Sequence, residues 1–230
     1  TGGQLIISIF SVFWLFTRVR PELAPTKKFS FQTSKRVFNV AVAFFVSQIA
    51  TLLLFQSANI IIARYLGTEH VAQYQVTWML FFYVTLPQQM IGANVWAAIG
   101  EASAKGDSVW VKKLFKRYLA LSLAYSLPLI FFLIIYSKYI VLHWVGVVAV
   151  PSEILVYWMA VNCLISIIMS PILSILVGVG DFKVYSFFNF FGALLTILLA
   201  IFLVQRIGIV GVVVATVVCS PVSIIPALLK

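Results

Sequence analysis

Residues 184–205 read VYSFFNFFGALLTILLAIFLVQ, twenty-two positions without one formal charge. An α-helix needs about 20 such residues to cross the roughly 30 Å hydrocarbon core of a bilayer, so this stretch specifies a transmembrane helix. Working outward, ILVYWMAVNCLISIIMSPILSIL at 154–176 and the runs at 37–63, 71–99, 118–137 and 207–229 carry the same signature, and a shorter run lies at 4–17. These long runs lack the ten-residue alternation of a membrane strand. The chain is therefore read as an all-α integral membrane protein, a six-helix transmembrane bundle preceded by the end of a truncated span. With 230 residues, 63% hydrophobic and 10% charged, it leaves no room for a soluble domain beside that bundle.

The expected boundaries are a truncated helix end at 1–17, a cytoplasmic basic linker at 18–36 and a six-span lobe at 37–230. The linker holds Pro21, Pro25 and six basic residues. Because the chain opens on Thr1 and its first run starts abruptly, an upstream part is expected to precede it. Pro87 falls inside the third run and should kink it near Thr85 to Gln89. Residues 101–117 place Trp110, Leu114 and Phe115 opposite a row of lysines, the pattern of an amphipathic helix lying on the inner surface. The interrupted stretch from Lys138 to Glu153 is placed at the outer interface.

Alternating the spans puts thirteen Lys and Arg residues on one side and only Arg64, Lys138 and Arg206 on the other. Cytoplasmic loops retain basic residues, which makes the crowded side, with the C-terminus, cytoplasmic. The net charge of +10 follows from basic residues flanking spans near anionic headgroups, and no nucleic-acid partner is expected. Cys163 and Cys219 lie inside apolar runs, where they read as packing residues rather than a disulfide framework or metal site.

Polar groups within hydrocarbon cost free energy unless they find partners or water, so their placement is the best functional signal in the chain. Gln48, Gln56 and Asn59 form a stripe on the second run. Thr77, Thr85 and Gln88 line up on the third. Asn162, Ser166, Ser170 and Ser174 recur every fourth residue on the fifth, and Asn189 and Thr196 follow on the sixth. Two readings stand side by side: a wet cavity lined by neutral hydrogen-bonding groups, suited to a hydroxyl-rich substrate, or seams in which these groups bond across packed helices. For the serine ladder the seam is preferred; for Gln48, Gln56, Asn59 and Gln88 both stay open. No Asp, Glu, Lys, Arg or His lies deep in a span, which disfavours acid–base catalysis. The protein is expected not to be an enzyme, and no cofactor or metal is expected.

The stretch from Gln48 to Tyr74, QIATLLLFQSANIIIARYLGTEHVAQY, carries an Ile-rich run followed by Leu66, Gly67, Val71, Ala72 and Tyr74. In this it resembles the polysaccharide and O-antigen flippases of the multidrug, oligosaccharidyl-lipid and polysaccharide exporter superfamily. Glu101, Ala102, Gly106 and Asp107, the WVG at 144–146, and Leu176, Gly178 and Gly180 extend the resemblance along nearly the whole chain. The chain departs from the pattern at Ala58, where many relatives carry Asp.

The resemblance implies two six-helix halves around a central cavity, with this chain supplying the second half, and a substrate that is a lipid-linked oligosaccharide turned from the inner to the outer leaflet of the cell's inner membrane by alternating access. Its implied partners are that saccharide, membrane lipids, the missing upstream half, and polysaccharide polymerase or export machinery. Lys35, Arg36 and Arg117 are candidates to attract a pyrophosphate headgroup or are inner-leaflet anchors. Arg64 either helps release that headgroup or snorkels. A multidrug or organic-cation exporter of the same superfamily and a non-catalytic membrane subunit are the alternatives.

Overall fold

A computed structural model describes residues 31–180 and 182–224, together with Ile7, Phe10, Ser11 and Trp14. Those four isolated residues are helical; the rest of the expected span end at 1–17 and residues 18–30 of the expected linker lie outside the described residues. The remaining described residues form six α-helices: α1 Phe31–Tyr65, α2 Thr68–Ala104, α3 Ser108–Trp144, α4 Glu153–Val179, α5 Phe182–Ile207 and α6 Val210–Cys219. Short 3-10 turns occupy Val147–Ala149 and Ser220–Ile224, and no strand occurs among the described residues. Residues 1–39 and 40–230 form separate compact units, and the helical lobe belongs to the second.

Four helical stretches are long and apolar enough to cross a membrane: Ala41–Tyr65 of α1, and α3, α4 and α5. The apolar stretch Val210–Val222 is shorter. Helix α2 runs for 37 residues but is not among those four spans. It carries Thr77, Gln88 and Tyr74 among its buried positions and packs extensively on α4 and, less so, on α3. An inner helix satisfies polar groups against protein, so its sequence need not be as apolar as that of a lipid-facing helix.

Helix α1 spans Phe31–Tyr65. Two boundaries differ from those read in the sequence. The expected surface helix at 101–117 does not exist as a separate element. Helix α2 continues to Ala104, a turn follows, and Ser108 to Arg117 are the opening turns of α3. Of the expected apolar face, Leu114 packs with Val111 against Val95, Ile99 and Tyr118, whereas Trp110 is exposed. At the other end, α3 continues through His143 to Trp144, so only 145–152 connects it to α4. Lys138 and Glu153 pair across that connection at 2.7 Å.

Local chemistry sets the helix starts. Asp107 accepts a hydrogen bond from the Trp110 amide at 2.9 Å, and Ser152 accepts one from the Leu155 amide at 3.3 Å, each satisfying a first-turn donor that has no partner within the helix. Asp107→Ala is expected to destabilise the lobe by about 1 kcal/mol, read from the unfolding midpoint of detergent-purified protein.

The core is a cluster centred on α2 and α4, in which Ile62, Phe81, Leu155, Met159 and Ile167 are almost wholly buried. Two crossings are tight enough to require glycine. A Cβ on Gly178 of α4 would stand 2.7 Å from the Ile99 side chain and 2.9 Å from the Trp96 carbonyl of α2, with Gly100 facing it. A Cβ on Gly211 of α6 would stand 2.5 Å from the Leu203 carbonyl carbon of α5. Small residues at such points let helix backbones approach, the common device of packing in lipid. The surface left over is apolar, with Leu121, Phe131, Phe132, Ile135, Leu198 and Phe202 exposed. Cys163 and Cys219 are buried and unbridged.

Candidate binding groove

Two adjoining chambers of about 370 and 390 Å³ run between α1, α2, α4 and α5. They share Gln89, Ser170, Leu173 and Tyr185 as lining residues, so they form one groove. The first chamber adds Trp78, Phe82 and Thr85 from α2 and Met159, Asn162, Cys163 and Ser166 from α4. The second adds Phe44, Ser47, Gln48 and Thr51 from α1, Trp96 from α2 and Ser174 from α4. No charged side chain lines either chamber among the described residues. No cluster of His, Cys, Asp or Glu able to hold a metal occurs among them either.

Helical spacing explains the walls. Asn162, Ser166, Ser170 and Ser174 recur every fourth residue and turn slowly along α4, which carries the lining from one chamber to the next. Two of them bond back along their own helix, Ser166 donating to the Asn162 carbonyl at 2.9 Å and Ser174 to the Ser170 carbonyl at 3.0 Å, while Ser170 shares a side-chain hydrogen bond with Tyr118 of α3. The ladder combines both arrangements, with a contact to α3 at Ser170 and groove lining along its length. A serine bonding back to its own helix keeps its remaining acceptor capacity for whatever enters the groove. On α2, Gln89 is exposed and donates to the Thr85 hydroxyl at 2.9 Å, which in turn donates to the Phe82 carbonyl at 2.8 Å.

Aromatic rings stand beside these polar groups in the lining. Trp78 and Phe82 stack with centroids 4.8 Å apart and planes 16° from parallel, and Phe55 packs on Trp78 at 4.9 Å. In the second chamber Phe44 stacks on Phe182 at 4.0 Å and meets Trp96 edge-on at 6.2 Å. The groove thus combines flat apolar faces with neutral hydrogen-bonding groups, the composition of a small-molecule site.

The residues singled out in the sequence divide. Gln48, Thr85, Gln88 and Asn162 line the groove, although Gln88 is only 2% exposed and its amide is committed to the packed seam. Gln56 is exposed, away from both chambers. Asn59 accepts from Gln75 of α2 at 2.5 Å, outside the groove. Thr77 is wholly buried and donates to the Gln73 carbonyl. Asn189 of α5 donates to the Ser47 hydroxyl of α1 at 3.2 Å, behind the lining rather than in it. A helical stripe marks which residues share a face but not which neighbour covers that face. Gln89, one turn from Thr85, and Tyr185, one turn from Asn189, touch both chambers and were not picked out, although their spacing continues those polar stripes.

Of the cationic candidates, Arg64, in the last turn of α1, and Arg117 and Lys35 are exposed. None of them lines either chamber. The side chain of Arg36 lies outside the described residues.

Residues 2–147, more than half of the chain, match the family model described as polysaccharide biosynthesis protein. No curated protein and no solved structure matches the chain. The matched stretch contains α1 and α2, which supply one side of the groove; α4 and α5, which supply the other, lie beyond it.

Proposed function

The chain belongs to the polysaccharide biosynthesis protein family, and from that premise we propose that it is a transporter lobe whose groove takes the saccharide of a lipid-linked oligosaccharide as it is flipped from the inner to the outer leaflet of the cell's inner membrane. The observation that carries this reading is the lining itself, with neutral amides and hydroxyls on α2 and α4 beside stacked aromatic rings and no charged side chain among the described residues that line it. A sugar presents hydroxyls at its rim and C–H groups on its faces. Amides meet the first and aromatic planes the second, without the desolvation cost of a buried charge.

The lipid tail stays in the bilayer and the pyrophosphate stays at the groove mouth, because no cation among the described residues lines the interior to receive it. Basic residues outside the groove, among them Lys35 and Arg117, attract it on the cytoplasmic side, where the C-terminus also lies. Movement then alternates the opening of this lobe and a facing partner half across a fixed site. No catalytic role is assigned to any residue. An organic cation would be better served by a carboxylate, and none lines the groove among the described residues.

Restoring the full-length gene to cells lacking their own O-antigen or capsule flippase should restore surface polysaccharide. Asn162→Leu, which removes one lining amide, is expected to lower export about five- to tenfold at normal protein level, the effect of one lost neutral hydrogen bond. Full export by that variant would contradict a substrate path along α4. Resistance to organic cations without restored polysaccharide would favour the drug-exporter reading.

A further inference from the structure

The buried amide of Gln88 belongs to a different arrangement from the open lining. In an α-helix the carbonyl of residue 167 receives the amide hydrogen of residue 171. Position 171 is proline, which has none. Pro171 lies within α4 and is buried, so water is not there to supply the missing donor. The Gln88 side-chain nitrogen of α2 donates to that same Ile167 carbonyl at 2.9 Å and to the Ser122 hydroxyl of α3 at 3.1 Å. Both amide hydrogens are thereby used, each on a different helix. Beside this point the Tyr118 hydroxyl of α3 donates to the Gln88 backbone carbonyl at 2.9 Å, so the position is held from its backbone as well.

The place of this contact gives it consequence. Asn162 and Ser166 lie before the proline break and Ser170, Leu173 and Ser174 at or beyond it. The part of α4 before the break lines only the first chamber and the part beyond it reaches both, and a helix missing one backbone bond at the boundary is free to change its angle there.

We infer that Gln88 is a positioning residue whose side-chain amide replaces the backbone hydrogen bond lost at Pro171 and so fixes the angle between the two parts of α4 that wall the groove. Its geometric part stands without the transport reading, and only its consequence for export rests on that reading.

The test uses Pro171→Ala, which returns an amide hydrogen to Ile167, as the suppressor of Gln88→Met, which keeps length and volume but removes the donor. The full-length protein carries Leu173→Cys as a reporter, with Cys163 and Cys219 replaced by Ala, and is labelled in membranes with a water-soluble maleimide. Gln88→Met should change the labelling rate at least about threefold, and the double variant should return to within about twofold of the parent, a coupling expected only of groups sharing one acceptor. If Gln88→Met does not accumulate, accumulation of the double variant at the parent level supports the same conclusion. Unchanged labelling in Gln88→Met, or effects of the two substitutions that simply add, would overturn it, as would failure of the double variant to accumulate when Pro171→Ala alone does. Because labelling is read without export, restored labelling with lost export would reject the saccharide path while leaving the positioning role intact.

Discussion

Gly211→Val is expected to abolish accumulation of the folded protein or to lower its stability by about 3 kcal/mol or more, the upper range for overpacking a close contact. The first atom of any side chain at this position meets the Leu203 carbonyl carbon at 2.5 Å, its oxygen at 2.6 Å and the Val204 nitrogen at 2.8 Å. All three are backbone atoms, so no rotamer change relieves the overlap; α5 and α6 must move apart. That motion unpacks Val204, Val210, Val212 and Val213, each buried in the main core. Gly192 of α5 is the matched control. Its Cβ would make only ordinary contacts, the nearest with Val222 at 3.6 Å, so Gly192→Ala should leave the unfolding midpoint of purified protein near that of the parent. Equal midpoints for Gly211→Val and the parent would show that the hairpin does not cross so closely.

Gln89→Trp is expected to lower export to background while leaving the fold in place. Gln89 is exposed and lines both chambers, so an indole there has open volume to enter and blocks the passage between them. Two chambers of about 370 and 390 Å³ are near the lower end of the range of small-molecule sites, which leaves little spare room. Gln89→Ala removes only the bond to Thr85 and should lose at most about fivefold, as one exposed neutral hydrogen bond. The contrast between bulk and deletion separates an obstructed path from a lost contact. Normal surface polysaccharide with Gln89→Trp at parental protein level would remove the groove from the transport route.

The sequence was most legible where its solvent decides its structure. Residues 184–205 are apolar all round, and α5 forms at Phe182–Ile207, within two residues of the run at each end. The surface helix at 101–117 was misread because an apolar stripe does not name its partner: Leu114 of that stripe packs on α2 beside Val95 and Ile99, whereas Trp110 stays exposed. Gln88 and Thr85 show the same limit at the candidate site. Three residues apart on α2, they present similar polar signals. Gln88 is enclosed by α3 and α4, whereas Thr85 lines the groove within half-open surroundings.

The chain by itself determined an all-helical membrane protein, because no water in hydrocarbon can satisfy a backbone and only closed hydrogen bonding along each segment avoids that cost. It also determined which polar residues share a helical face, since that follows from the turn per residue alone. Only the tertiary structure decided which of those faces are dry. That depends on whether a neighbouring helix comes close enough to donate or accept, as α2 does where Gln88 reaches the carbonyl left by Pro171, or stands off and leaves a groove, as α1 and α5 do beside Ser170 and Ser174.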